Sequence, residues 1–425
     1  MTTEQRLERD LPSHLGDIAM GSYPQYIDDV LSITAQRRQR PGWTFPERWL
    51  PMDITTTRVP ATRLPWRQLG VLALLLILIA GALAVYVGSQ QPRLPAPFGL
   101  AANGKILFTE GGDIVVADPV NGESATIVTG PETDRFPVWS PDGTKIAFER
   151  KARTGGPGHL FVALQDGQGL TQLTREPLRG LDAWSFSPDG RSLTALVGDE
   201  DPSILVIPTD GSGEARIFDV PATREDSPPQ FRPDGTEIMF IGVEPGADSR
   251  GVFGLDPATG TTRAIITAPE SRDISGAAWS PDGSMISYNM HDTTAEGFSN
   301  RVHVVSSDGS GDIPVDTDRL TIGDWGGLWS NDGTRLIIQR FYDDDTTHSA
   351  IVPVDRSNAG IVLECPPGGA LGDCSADWTW SPDDSMLIGS RQSTATQFIA
   401  DSQTGRIRPA PWKASGSPAW QRVAR

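Results

Sequence analysis

Six aspartates recur ahead of an aromatic residue in the C-terminal three quarters of the chain: Asp134, Asp182, Asp226, Asp273, Asp324 and Asp377. Gathered on one face of a closed ring, six carboxylates would form an electronegative circle that attracts cations or cationic groups. The alternative is local: each Asp caps its own loop by accepting backbone N–H groups. A second candidate pair is Cys365 and Cys374, nine positions apart in E-C-P-P-G-G-A-L-G-D-C. In an exported domain this spacing suits a disulfide clamping a Pro/Gly loop, contributing very roughly 2–3 kcal/mol in the entropic account. Two thiols alone make a poor metal site.

Other chemistry finds little support. There is no Gly-x-Ser-x-Gly elbow and no His-Glu-x-x-His. The histidines (His14, His159, His291, His303, His348) are scattered, and the glycines fall in turns rather than in a phosphate loop. The Asp343-Asp344-Asp345 run reads as a solvated connection, and no loop has calcium-loop spacing. The chain is therefore read as a binding protein rather than an enzyme, with no cofactor and no metal. A net charge of −18 argues against a nucleic-acid partner.

The elements that would position these residues come from a repeat. WSPDG stands at 139–143, FSPDG at 186–190, FRPDG at 231–235, WSPDG at 279–283, WSNDG at 329–333 and WSPDD at 380–384, with a truncated copy at Trp420. The aromatic positions step by 47, 45, 48, 50, 51 and 40 residues, which signals an array or propeller. Ser-Pro-Asp-Gly is a tight turn: Pro presets φ, Asp bonds locally and Gly accepts positive φ. Between an aromatic strand and a β-rich run such as Lys145-Ile146-Ala147-Phe148, it makes a hairpin. Two further strands complete each unit, and four strands in about 47 residues make one blade. Residues 105–128 supply three strands without a motif strand, and Ser417–Val423 supplies a motif strand with nothing after it. Joined, they form a composite blade that leaves no open sheet edge. The expected fold is all-β, a seven-bladed β-propeller over 97–425, with six blades as the alternative if the 380–412 unit, where Asp384 replaces glycine, is spurious. The motif aromatics are expected to pack between blades and the motif aspartates to serve their turns.

These units resemble the WD40-like propeller repeats of the TolB type, over essentially all of 97–425. The resemblance implies a binding platform. TolB itself is periplasmic, and similar blades form the non-catalytic propeller of prolyl oligopeptidase-type enzymes. The chain ends five residues past Trp420, so the α/β-hydrolase domain of those enzymes is not expected here. TolB is similar to a six-bladed ring on a separate domain, whereas seven blades and a membrane anchor are expected here.

The anchor is Leu69–Val87, 19 residues without a charge, close to the hydrocarbon thickness as a helix. Arg58, Arg63 and Arg67 precede it and only Arg93 follows closely, so the positive-inside rule places the N-terminus in the cytoplasm. The expected order is a cytoplasmic helical segment 1–68, a single transmembrane helix 69–87, a linker 88–96 and an extracytoplasmic propeller 97–425 at the cell membrane. Residues 1–67 hold nine Arg and eight Asp or Glu, hence +1, which leaves −18 − 1 = −19 for the remainder.

In the cytoplasmic segment, Leu7, Leu11, Leu15 and Ile18 share one helical face, and Ile27, Val30, Leu31 and Thr34 another. So small a unit is marginal alone and calls for a partner or the bilayer surface. Its layout is similar to that of transmembrane anti-sigma factors, although it holds only His14 and no cysteine. Three functions follow in order: an anchored propeller binding a protein, peptide or glycan; a transmembrane regulator with a cytosolic partner for 1–67; and a propeller-face hydrolase.

Overall fold

A computed structural model describes residues 70–77, 79 and 96–425, except 180, 182–183, 200, 224–226, 245, 248, 270, 293–299, 319, 365–376, 392–395 and 413–414. The segment 1–68, most of the expected span and linker, Asp182, Asp226, Cys365 and Cys374 lie outside the described residues. Residues 70–77 are helical. Among the described residues, no helix is long and apolar enough to cross a membrane. The chain divides into two compact units, Met1–Gln90 and Gln91–Arg425.

The second unit contains seven four-stranded antiparallel sheets. Blade 1 is composite: Ser415–Val423 pairs with Ala102–Glu110, which is followed by Asp113–Ala117 and Ser124–Val128. Its register sets Ala102 opposite Val423 and Ile106 opposite Trp420, so the last strand closes the ring onto the first. Blades 2 to 7 are continuous and span 133–172, 184–218, 230–267, 272–314, 321–362 and 377–409. The unit carrying Asp384 forms a complete sheet, which decides for seven blades over six.

The middle strands of a blade are covered on both faces by neighbouring blades, and they read as apolar runs rather than alternating ones. Leu193–Val197 is fully buried, whereas the outermost strand Arg216–Phe218 is largely exposed. The core lies between blades. Trp139 gathers Leu107 and Val116 of blade 1 with Ile146 and Phe148 of blade 2. Trp380 does the same for Ile337 and Ile351 of blade 6 with Leu387 of blade 7. Two of these indoles also bond across the seam: Trp329 Nε1 donates to Ala278 O at 3.2 Å and Trp380 Nε1 to Leu328 O at 3.1 Å.

The motif turns are built as their chemistry suggests. Ser140 Oγ donates to Asp142 Oδ1 at 2.6 Å and accepts Lys145 N at 2.9 Å, while Thr144 N donates to Asp142 Oδ1 at 3.0 Å. Burial opposes the charge of Asp142, but the bonds from Ser140 and Thr144 prevail and hold its carboxyl below the usual range. The pattern recurs at Asp189, Asp282, Asp332 and Asp383, and Asp234 keeps its Thr236 half.

Candidate ligand site at the channel mouth

The motif strand is an edge strand of every sheet, and four of these edges line one central cavity. Counting back from the motif aromatic, the wall is made by the residues one and three places before it. Pro228 and Gln230, Gly276 and Ala278, Gly326 and Leu328, and Asp377 stand there in blades 4 to 7. The cavity measures about 450 Å³ and also takes in Asn289, Trp325, Gln339 and Trp378.

The inner strands of blades 2, 5 and 6 carry β-bulges at this layer. The register slips between Arg135 and Val138, between Ser275 and Ala278, and between Gly326 and Leu328. An extra residue re-aims the side chains around it. In blade 6 the bulge turns Trp325 toward the cavity and onto His291, with ring centroids 5.1 Å apart. Asn289, 1% exposed, spans two blades: its Oδ1 accepts Gly326 N at 2.9 Å and its Nδ2 donates to Ser275 O at 3.4 Å.

Five main-chain carbonyls of these inner strands are engaged by side chains of adjoining strands. Ser185 Oγ donates to Pro229 O at 2.7 Å, Gln230 Nε2 to Ala277 O at 3.3 Å and Ser287 Oγ to Gly327 O at 2.6 Å. The indoles of Trp329 and Trp380 take Ala278 O and Leu328 O.

The four described aspartates singled out in the sequence lie within inner strands rather than in the connections before them. Asp134, 1% exposed, accepts Arg150 Nε at 2.7 Å and Nη2 at 2.8 Å, and its own N–H donates to Gly112 O of the preceding blade at 2.8 Å. Asp273 accepts Arg250 N at 2.8 Å and Arg250 Nε at 2.8 Å. Asp324 accepts Val302 N at 2.5 Å and Arg301 Nη1 at 3.0 Å. The last two therefore latch an inner strand to the third strand of the blade before it. Burial opposes the charge of Asp273, yet the Arg250 bonds hold its carboxyl below the usual range. Asp324 is buried more deeply, and desolvation pushes its carboxyl up against Val302 N and Arg301. Asp377 alone of the described four faces the cavity, exposed, opposite Ser390.

Trp325 and Asn289 were not legible as site residues in the sequence. The signal for Trp325 was the Gly326-Gly327 pair behind it, which interrupts a strand and marks a bulge.

No protein-family profile matches the chain. A stretch of 127 residues is 28% identical to a protein TolB homolog of Chlorobium luteolum, covering 30% of this chain and 27% of that relative. The fold is a seven-bladed β-propeller with TolB-like repeats. The match spans well under two thirds of the relative's length. Two solved structures resemble the fold of this chain. A prolyl endopeptidase matches at TM-score 0.53 and 13% identity, over 74% of this chain and 50% of that one. An oligogalacturonate lyase in complex with manganese matches at TM-score 0.52 and 16% identity, over 73% and 85%. At such identities these two speak for the fold alone.

Proposed function

We propose that this TolB-like propeller is a membrane-anchored, extracytoplasmic interaction module that takes a protein, peptide or glycan ligand at the channel mouth. The observation that carries this reading is the cavity of about 450 Å³, where an exposed carboxylate, side-chain amides and a half-buried Trp325 converge from four blades. Concave sites with apolar walls and a few placed polar groups are the usual form of ligand pockets. Similarity to a TolB homolog supports a protein partner. The uncharged run 69–87 and the arginines before it support the anchor and its orientation.

The test is photocrosslinking in the native membrane. A photoreactive residue replaces Leu328, 41% exposed on the cavity wall, or Val120, 83% exposed in a turn between outer strands of blade 1. The reading expects an adduct from position 328 and none from 120. Equal labelling, or none at 328, refutes it. An alkaline phosphatase fusion after residue 96 checks the topology: an active fusion agrees with export, an inactive one reverses it.

One observation favours a second reading, a propeller-face hydrolase. Ser275 Oγ lies 2.7 Å from His291 Nε2, and His291 Nδ1 meets Asn300 Oδ1. With Nδ1–H donating to the amide oxygen, Nε2 accepts the serine proton, the arrangement of a nucleophile, base and orienting group. Ser275 is 2% exposed behind the cavity wall, so the binding reading leads. Labelling of the full chain by a fluorophosphonate, lost in Ser275→Ala, would reverse that order.

A further inference from the structure

Phe136 adopts a backbone conformation that two other repeats give to glycine. It stands three residues before Trp139, as Gly276 does before Trp279 and Gly326 before Trp329. All three have positive φ: 52°, 57° and 103°. Without a Cβ, glycine adopts this region at little cost, whereas a bulky residue there is a genuine outlier. Packing does not repay it, because Phe136 is 59% exposed. Its ring meets Trp184 edge-on at 6.2 Å and the Arg135 guanidinium at 4.8 Å from its centroid. Backbone strain held at an exposed aromatic points to contact with something outside the fold. The equivalent positions of blades 4 to 7 line the channel cavity, so Phe136 belongs to the same layer of the wall.

We propose that Phe136 is a ligand-contacting residue, strained so as to present its ring to the channel, and that the ligand is an uncharged saccharide. The proposal rests on the channel mouth being the binding site. Three observations select the chemistry. A peptide adding as a strand would need main-chain partners, and five carbonyls of these inner strands, those of Pro229, Ala277, Ala278, Gly327 and Leu328, are taken by side-chain donors. What the wall offers instead is the rings of Trp325 and Trp378 and the amide of Gln230, which spends one N–H on Ala277 O and belongs to a group that both donates and accepts as sugar hydroxyls do. The exported part carries −19, from −18 overall less +1 in 1–67, which disfavours acidic sugars.

The experiment titrates the full chain with chitohexaose, with maltohexaose and with a mixture of random decapeptides, reading intrinsic tryptophan fluorescence. Saturable binding of at least one hexasaccharide is expected. Phe136→Gly should weaken it about tenfold, the loss of one stacking contact, while the melting temperature does not fall. Phe136→Trp should keep it. Failure of both sugars to bind overturns the saccharide assignment, and binding of decapeptides alone reassigns the class while leaving the channel-mouth reading intact. Sugar binding that Phe136→Gly leaves unchanged removes Phe136 from the site. The broader reading falls separately, through the crosslinking at Leu328.

Discussion

Asp384 accepts both N–H groups of Asn331 across the seam between blades 6 and 7, the main-chain N and the side-chain Nδ2 each at 2.8 Å from Oδ1. Its Oδ2 accepts Asp332 N, also at 2.8 Å. Asn331 stands where the other full motifs have proline, and Asp384 where they have glycine. The two departures answer one another: proline has no N–H to donate, and glycine has no carboxylate to receive one. Asp384 holds the glycine conformation, φ 60°, to do so. Arg422 joins them, donating from Nη1 to Asn331 Oδ1 at 2.7 Å.

A double-mutant cycle tests this pairing. Asp384→Gly restores the motif but leaves the main-chain N–H groups of Asn331 and Asp332 without this acceptor, while Asn331 Nδ2 keeps Ser381 O at 2.9 Å, and it should cost about 1–3 kcal/mol. Asn331→Pro alone should cost a similar amount. The double variant should lose less than the sum, with a coupling of about 0.5–3 kcal/mol by urea denaturation. Strict additivity would show that the two positions are independent.

The latches at Asp273 and Asp324 predict opposite responses to neutralisation. A carboxyl held below its unfolded value contributes stability above about pH 4 that is lost as the pH falls through the folded value. Asp273 is of this kind. Asp273→Asn should therefore destabilise by about 1–2 kcal/mol at pH 7 and flatten the loss of stability toward pH 3. Asp324 is pushed up by burial, so its ionisation opposes folding. Asp324→Asn keeps an oxygen for Val302 N and should stay within about 1 kcal/mol of the parent at pH 7. An unchanged pH slope in Asp273→Asn would contradict the assignment.

The seam tryptophans should separate by their hydrogen bonds. Trp380 Nε1 donates to Leu328 O, whereas Trp279 Nε1 has no partner among the described residues. Trp380→Phe should cost about 1 kcal/mol more than Trp279→Phe. Trp→Ala at either place should cost about 3–5 kcal/mol through the cavity left between blades. Equal costs for the two Phe variants would show that the indole bond is energetically silent.

Deleting residues 415–425 removes the strand that pairs with Ala102–Glu110. The exposed edge and the unsupported Ile106–Trp420 contact should abolish a single cooperative transition and promote association. A truncated chain that unfolds like the parent would mean that closure contributes little.

The sequence by itself determined the ring. Aromatic-Ser-Pro-Asp-Gly at a steady period specifies a hairpin locally, through the stereochemistry of proline and glycine, and repetition makes that local rule global. It also located the seam aromatics, which are buried because each blade offers its apolar faces only to another blade. Tertiary structure decided the fate of the carboxylates. Asp134, Asp273 and Asp324 stand five, six and five residues before their motif aromatics and meet arginines, whereas Asp377 stands three before Trp380 and faces the cavity. Arg250 and Arg301 lie 23 residues before their aspartates, in another blade, and nothing in local spacing announces such pairs. The bulges were hidden for the same reason. A one-residue slip against a neighbouring strand leaves its composition unchanged, yet it sets whether Trp325 and Phe136 reach the channel.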